Sequence, residues 1–172
     1  SSTSSWDVWH KSLGAGQRLV LNDNDAEAST SSYQSVNSST FDVHAGNNDN
    51  SVTMIAFCWS EIPGYSKFSM YQGNDATDGP FVYCGFKPAY LLLKRTDAGT
   101  DWAIHDAARD PTNTGDKYYL WASLPTAGAT GYDVDFLSNG FKLRTTNGNW
   151  NADAPYIFCA WAESPFKYSN AR

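Results

Sequence analysis

Little in this chain of 172 residues would build a helix, hold a nucleic acid or cross a bilayer. Apolar residues show no sustained three- and four-residue spacing, so no amphipathic helix is expected. Charged residues make up only 17% of the chain, and 12 Lys and Arg stand against 18 Asp and Glu, for a net charge of −6. That balance excludes a sequence-independent hold on DNA or RNA, which needs clustered cations to displace phosphate counterions. No apolar run approaches the roughly 20 residues of a spanning helix. The opening SSTSSWDVWH has neither the basic region nor the apolar core of a signal peptide, so no membrane insertion is expected. Cys58, Cys84 and Cys159 are odd in number and form no CxxC pair, which implies neither a disulfide framework nor a zinc knuckle. All three are expected as small buried side chains of a protein assembled in a reducing cytosol. Glutamate is confined to Glu27, Glu61 and Glu163.

What the chain does have is aromatic residues, at 15%, set among Gly, Asn, Ser and Thr. That mixture favours strands joined by tight turns. A chain of this length buries roughly 70% of its unfolded surface, enough for one domain or two small ones without staples. Turn signals recur as NDND at Asn22, AGNNDN at Ala45, YQGNDATDG at Tyr71, DPTNTGD at Asp110, SNG at Ser138 and TNGN at Thr146.

Two phrases nearly repeat: MIAFCWSEIPGYSKF from Met54 and YIFCAWAESPFKYSNAR from Tyr156. Setting Trp59 on Trp161 also sets Glu61 on Glu163 and Pro63 on Pro165. Shorter matches follow in order: WDVWH from Trp6 with WAIHD from Trp102, RLVLN from Arg18 with YYLWA from Tyr118, and TFDVH from Thr40 with GFKLR from Gly140. The copies run over about 5–68 and 101–169. The pattern divides the chain into a first β repeat, 1–68, incomplete at its N-terminal side, and a second, complete one, 69–172, with one shared sandwich as the alternative. Two good strands precede Trp102 and only SSTSS precedes Trp6, so the chain is expected to be the C-terminal piece of a longer polypeptide.

Within the matched pieces, Phe141 and Leu143 alternate with Lys142 and Arg144, and Phe41 and Val43 alternate likewise, each pattern giving one buried and one wet face. TMIAFCW and YIFCAWA are apolar on both faces and are expected as central strands covered from both sides. The fold class expected is all-β, a β-sandwich or jelly roll built from the internal repeat.

The run YQGNDATDGPFVYCGFKPAYLLLKRTDAGTDWAIHDAARDP, then DVDFLSNGFKLRTTNGN, then YIFCAWAESPFKYSNAR resembles a β-rich repeat domain of tailed-bacteriophage virion proteins, notably marine and cyanobacterial ones. The likeness covers essentially the whole chain. Its most specific marks are GF-x-P-x5-K from Gly85 to Lys94 and aromatic-A-x-A-E-x-P-F from Phe158 to Phe166, where Cys159 and Trp161 occupy variable positions. The resemblance implies a concanavalin-like jelly roll, a tail, fibre or other structural part of the virion, and no enzyme. It carries over no binding residues.

On that footing the expected function is non-enzymatic, with contacts to other virion subunits, including copies of the chain itself, since virion parts are symmetric. A second expectation is a carbohydrate-binding adhesion domain recognising a cell-surface glycan. This would need aromatic faces open to solvent beside Asn or Asp. Trp150, in NGNWNAD, is the foremost candidate because its neighbours are polar; Tyr71, Trp121 and Trp9 follow. Each of the four would serve equally in a protein interface. A third expectation, glycoside hydrolysis, needs two carboxylates across a sugar-binding face. Asp133 and Asp135 are alternate residues and could share a face, but solvated strand carboxylates are the simpler reading. Glu61 and Glu163, repeated after equivalent strands, fit a structural duty: accepting turn amides or pairing with an Arg where the strand ends. Hard oxygen ligands of the kind Ca²⁺ takes occur at 22–25, 47–50 and 106–116, yet none follows an EF-hand pattern and no cofactor is expected. His10, His44 and His105 stand singly and read as strand residues.

Overall fold

In a computed structural model the chain is described over residues 5–31, 33–43, 53–113, 115, 117–132 and 134–163. Fourteen strands and no helix are found among these residues. The principal sheet has six strands: β6 (Ser66–Gln72), β8 (Pro88–Arg95), β9 (Ala103–Asp106), β10 (Tyr118–Trp121), β11 (Ala129–Thr130) and β14 (Pro155–Ala162), in the order β11-β10-β9-β8-β14-β6. A three-stranded sheet holds β12 (Val134–Leu137), β13 (Gly140–Leu143) and β7 (Phe81–Tyr83), and another holds β1 (Asp7–Val8), β2 (Gln17–Val20) and β3 (Ala28–Ser29). A separate hairpin joins β4 (Tyr33–Val36) to β5 (Phe41–Val43). Every pairing between strands is antiparallel.

The sequence YIFCAWA becomes the inner strand β14, paired to β6 through Tyr156↔Tyr71 and Phe158↔Ser69 and to β8 through Phe158↔Leu93 and Ala160↔Leu91. Its alternation explains why both faces are apolar. Tyr156, Phe158 and Ala160 join Leu91, Leu93 and Ala103 in one cluster with Val82, Phe136, Phe141 and Leu143 of the sheet β12-β13-β7. Ile157 turns the other way and packs with Trp102, Leu13 and Leu19 beneath the N-terminal sheet. Each fully buried aliphatic side chain contributes about 1.5–3 kcal/mol, so both layers hold the principal sheet.

Two clasps tie the N-terminal sheet down. Trp102 Nε1 donates to Val20 O at 2.8 Å. Lys94, fully buried, aims its ammonium at Arg95 O (2.7 Å), Asn24 O (3.3 Å), Ala98 O (3.4 Å) and Thr100 Oγ1 (3.5 Å). Burial pushes this lysine down to about 8.

Three expectations need correction. In 53–60 the chain belongs to no strand and every residue is exposed, so TMIAFCW is not the inner strand that YIFCAWA is. A strand needs neighbours: β8 is paired on both edges, by β14 and β9, and among the described residues 53–60 does not pair with the edge of β6 that faces away from β14. Phe41 is 39% exposed, since β4 and β5 pair only with each other and cover no core. Of the three cysteines only Cys84 is buried; Cys159 is half-buried, and Cys58 is exposed because it lies in that unpaired segment. By contrast Phe141 and Leu143 are buried and Lys142 is not, as their alternation predicts.

Candidate functional site

The feature least like a folded interior is a row of rings along one margin of the molecule. Trp6 stacks on Phe57 with centroids 6.2 Å apart, and Phe57 stacks on Trp59 at 6.2 Å. Trp59 meets the edge of Trp161 at 6.2 Å, and Trp161 in turn touches Tyr90 (5.6 Å) and Phe68 (5.3 Å). The outer members are open: Trp6 is 51% exposed, Phe57 63% and Trp59 64%. Met54, Ile55 and Ile62 add further exposed apolar surface on the same stretch of chain. Contiguous apolar patches of this kind mark interaction surfaces more often than chance.

Local sequence fixes both ends of the row. Trp6 leads into β1, with its amide donating to Asn22 Oδ1 at 2.8 Å and its carbonyl accepting from Leu21 at 2.9 Å. Phe57 and Trp59 are alternate residues, so an extended backbone sets them on one side. Ile62, Pro63, Gly64 and Tyr65 then turn the chain into β6, closed by Tyr65 N to Ile62 O at 2.9 Å. Gly64 takes φ 79°, a left-handed setting that favours glycine. Glu61 anchors the turn: its Oε1 accepts from Phe68 N (3.0 Å) and pairs with Lys11 (2.8 Å) and Lys67 (3.2 Å). Burial opposes its charge, but hydrogen bonds from Lys11, the Phe68 amide and Lys67 outweigh it and hold the carboxyl below its ordinary value. Glu61 therefore holds a strand amide and two lysines, in place of the expected turn amides or Arg. Glu163 is exposed, and Pro165 lies outside the described residues.

The glycan candidates scatter. Trp150 is fully buried, the reverse of the open ring expected from its polar neighbours. Its indole packs on Tyr132 (4.3 Å), Tyr119 (5.2 Å) and Trp121 (5.2 Å), and its Nε1 donates to His105 Nε2 at 2.7 Å. The polar neighbours turn inward with it: buried Asn151 donates to Asn74 Oδ1, Ala76 O and Thr145 O and accepts from Asn74 N. Tyr71 is buried too, stacked on Tyr156 at 5.0 Å with its hydroxyl donating to Trp150 O at 2.7 Å. Trp121 is half-buried against the same cluster, and only Trp9 keeps substantial exposure, at 39%. The four do not form one surface.

Of the carboxylates considered for hydrolysis, Asp133 and its side chain lie outside the described residues, and Asp135 Oδ2 is bound by Arg144 Nε at 2.7 Å. The oxygen-rich loops are used as turns. Asn22 caps Trp6, Asp106 Oδ1 accepts from Ala108 N at 2.8 Å, and Asp110 pairs with buried Lys117 at 3.2 Å. No group of three or more metal-ligating side chains is found among the described residues, and 47–50 lie outside them. His10 Nδ1 accepts from Ser12 N at 3.1 Å, and its Nε2 faces Phe158 O at 3.3 Å from a loop and not a strand; His105 does lie in β9, and His44 is outside the described residues. Burial pushes both described imidazoles down to about 4. Beside His105 lies a cavity of about 10 Å³, room for one water.

Sequence reasoning missed Phe57 and Trp6 as surface residues. For Phe57 no local signal was available: 53–59 is apolar on both faces just as the inner strand 155–161 is, so composition does not tell the two apart.

The sequence matches the family described as Domain of unknown function (DUF7483) over residues 1–165. The chain belongs to that family. No curated protein matches it, and no solved structure does.

Proposed function

Within that family, we propose that the chain is a non-enzymatic structural domain of a bacteriophage virion, in the tail, a fibre or a capsid-associated position, and that it works by protein–protein contact. The observation that carries the contact is the exposed row Trp6, Phe57 and Trp59 with Met54 and Ile55 beside it. Aromatic residues and Met are the side chains in which interfaces are enriched, and charge is depleted from their centres. Residues 53–59 carry no charge at all. The virion setting rests on the resemblance of GFKPAYLLLK and FCAWAESPF to phage repeat domains.

The architecture that suits this role is a concanavalin-like jelly roll, with the six-stranded sheet and β12-β13-β7 as its two faces around the shared cluster. A body clamped on both sides of its main sheet resists local opening and can hold a docking face in fixed position. The chain would be assembled with the particle in the host cytoplasm and be extracellular in the mature virion.

The test is incorporation. Phage particles purified on a density gradient are expected to contain the chain in fixed stoichiometry by mass spectrometry, and Trp59→Asp is expected to lower that stoichiometry at least tenfold. Normal incorporation of the variant, or absence of the chain from particles, overturns the reading.

A second reading has one specific observation behind it: stacked, open rings in a row are also a surface on which sugar rings lie. Binding to a glycan array that is lost in Trp59→Ala, with incorporation intact, favours that reading instead.

A further inference from the structure

We propose that residues 53–59 are an interface strand, pairing antiparallel with 53–59 of a second copy of this chain about a two-fold axis. The inference rests on the protein-contact reading above and names its partner and mode.

Four observations lead there. The segment is extended, since Phe57 and Trp59 lie side by side at alternate positions. Its backbone is bare: among the described residues no amide or carbonyl from 53 to 59 has a hydrogen-bond partner, and pairing resumes only where Ser60 O accepts from Ser66 Oγ at 2.8 Å. All of its side chains are exposed, on both faces. Finally, sheet edges are ordinarily guarded by charge, proline or a bulge, and Thr-Met-Ile-Ala-Phe-Cys-Trp has neither charge nor proline; Glu61 and Pro63 come only after it. An unguarded strand with free amides takes another strand.

The sequence match shows what such a phrase does when neighbours are present. With Trp161 set on Trp59, residues 155–161 correspond to 53–59, and they pair along both edges with β6 and β8. β8 is paired on both edges, by β14 and β9, and β6 on one, by β14; among the described residues 53–59 pairs with neither, so the chain does not give it the two neighbours that 155–161 has.

Area and charge select a second copy. Trp6, Met54, Ile55, Phe57, Trp59 and Ile62 are 45% to 69% exposed. At roughly 200 Å² for a large apolar side chain this leaves on the order of 700 Å² uncovered, close to the ~800 Å² each partner gives to a standard interface. An uncharged strand meets no like-charge repulsion against itself, and an isologous pairing closes after two subunits.

The full chain is tested by sedimentation velocity over a hundredfold concentration range, alongside alkylation of Cys58. Cys58 is the exposed thiol, whereas burial pushes Cys84 and Cys159 up to about 12, so Cys58 reports the segment. The expected result is a concentration-dependent dimer in which Cys58 reacts at least tenfold more slowly than in the dilute monomer. Ala56→Pro, which deletes a pairing amide, and Phe57→Asp are both expected to stay monomeric with unchanged far-UV spectra, since neither residue supports the core. A strict monomer with a constant Cys58 rate overturns the inference. So does a dimer that survives Ala56→Pro but not Trp59→Asp, which would mean packing of rings without strand pairing. Either failure leaves the protein-contact reading standing if Trp59→Asp still blocks incorporation; if incorporation is normal, that reading falls separately.

Discussion

Replacing Trp150 by alanine separates a core ring from a ligand platform. Its indole is fully buried among Tyr119, Trp121, Tyr132 and His105. Truncating a buried Trp or Phe to Ala costs about 3–5 kcal/mol in lost contacts and cavity. His105 Nε2 also loses the Nε1 donor at 2.7 Å, and an orphaned buried acceptor costs about 1–3 kcal/mol. The expected loss is therefore about 4–8 kcal/mol, a large share of the ~5–15 kcal/mol that holds a domain together. Trp150→Phe keeps most of the ring and loses the donor, and is expected to lose about half as much. The assay is urea unfolding followed by far-UV circular dichroism, so that removal of a fluorophore does not confuse the readout, with an unchanged m-value required for comparison. A loss below about 1 kcal/mol for Trp150→Ala refutes the burial argument. So does retained stability accompanied by loss of glycan or particle binding.

Three further outcomes follow from the same geometry. His10 and His105 are held near 4 against 6.5 unfolded, so the unfolded chain binds more protons between those values. The histidines' contribution to stability is then expected to be level above pH 6.5 and to fall as pH drops from 6.5 toward 4, by up to about 3 kcal/mol per histidine; His105→Gln should flatten the curve between pH 6.5 and 4, and an unchanged slope there refutes this. A Cβ at Gly140 would sit 2.1 Å from Val82 O, so Gly140→Ala is expected to force β13 from β7 and cost about 1–3 kcal/mol; a neutral melting shift contradicts that contact. Lys94→Met leaves the carbonyls of Asn24, Arg95 and Ala98 without their ammonium donor, and is expected to cost about 1–3 kcal/mol and to speed hydrogen exchange at Glu27, whose amide bonds Thr96 O. Parent-like stability and exchange would show that the clasp is idle.

How far these properties could be read from residues depends on whether their causes are local. The alternation of Phe141 and Leu143 with Lys142 is local, and β13 follows it. The placing of 155–162 inside a sheet, with a strand on either side, was also legible, because a strand apolar on both faces has no stable home at a surface. The same rule fails for 53–59, where composition asks for neighbours that pairing does not supply among the described residues. Trp150 misled for another reason. Asn, Gly and Asp around a Trp suggest water, yet Asn151 and Tyr156 satisfy the loop's amides and carbonyls internally, through Asn151 Nδ2 to Thr145 O and Tyr156 hydroxyl to Gly148 O. Polar residues that bond one another can be as buried as apolar ones. Glu61 is expected from sequence to hold a turn amide or an Arg where a strand ends; it holds the Phe68 amide, Lys11 and Lys67 beside a segment that forms no strand, and partners drawn from distant and near sequence alike could not be named beforehand.

Hydrogen exchange at 53–60, compared between the free chain at dilution and the chain in purified particles, bears most directly on the idea that this protein acts by presenting that face. Free, these amides are expected to exchange at rates near those of an unstructured peptide while 155–162 stays protected. In particles, 53–60 is expected to slow by at least a hundredfold. Equal, fast exchange of 53–60 in both settings would contradict the account.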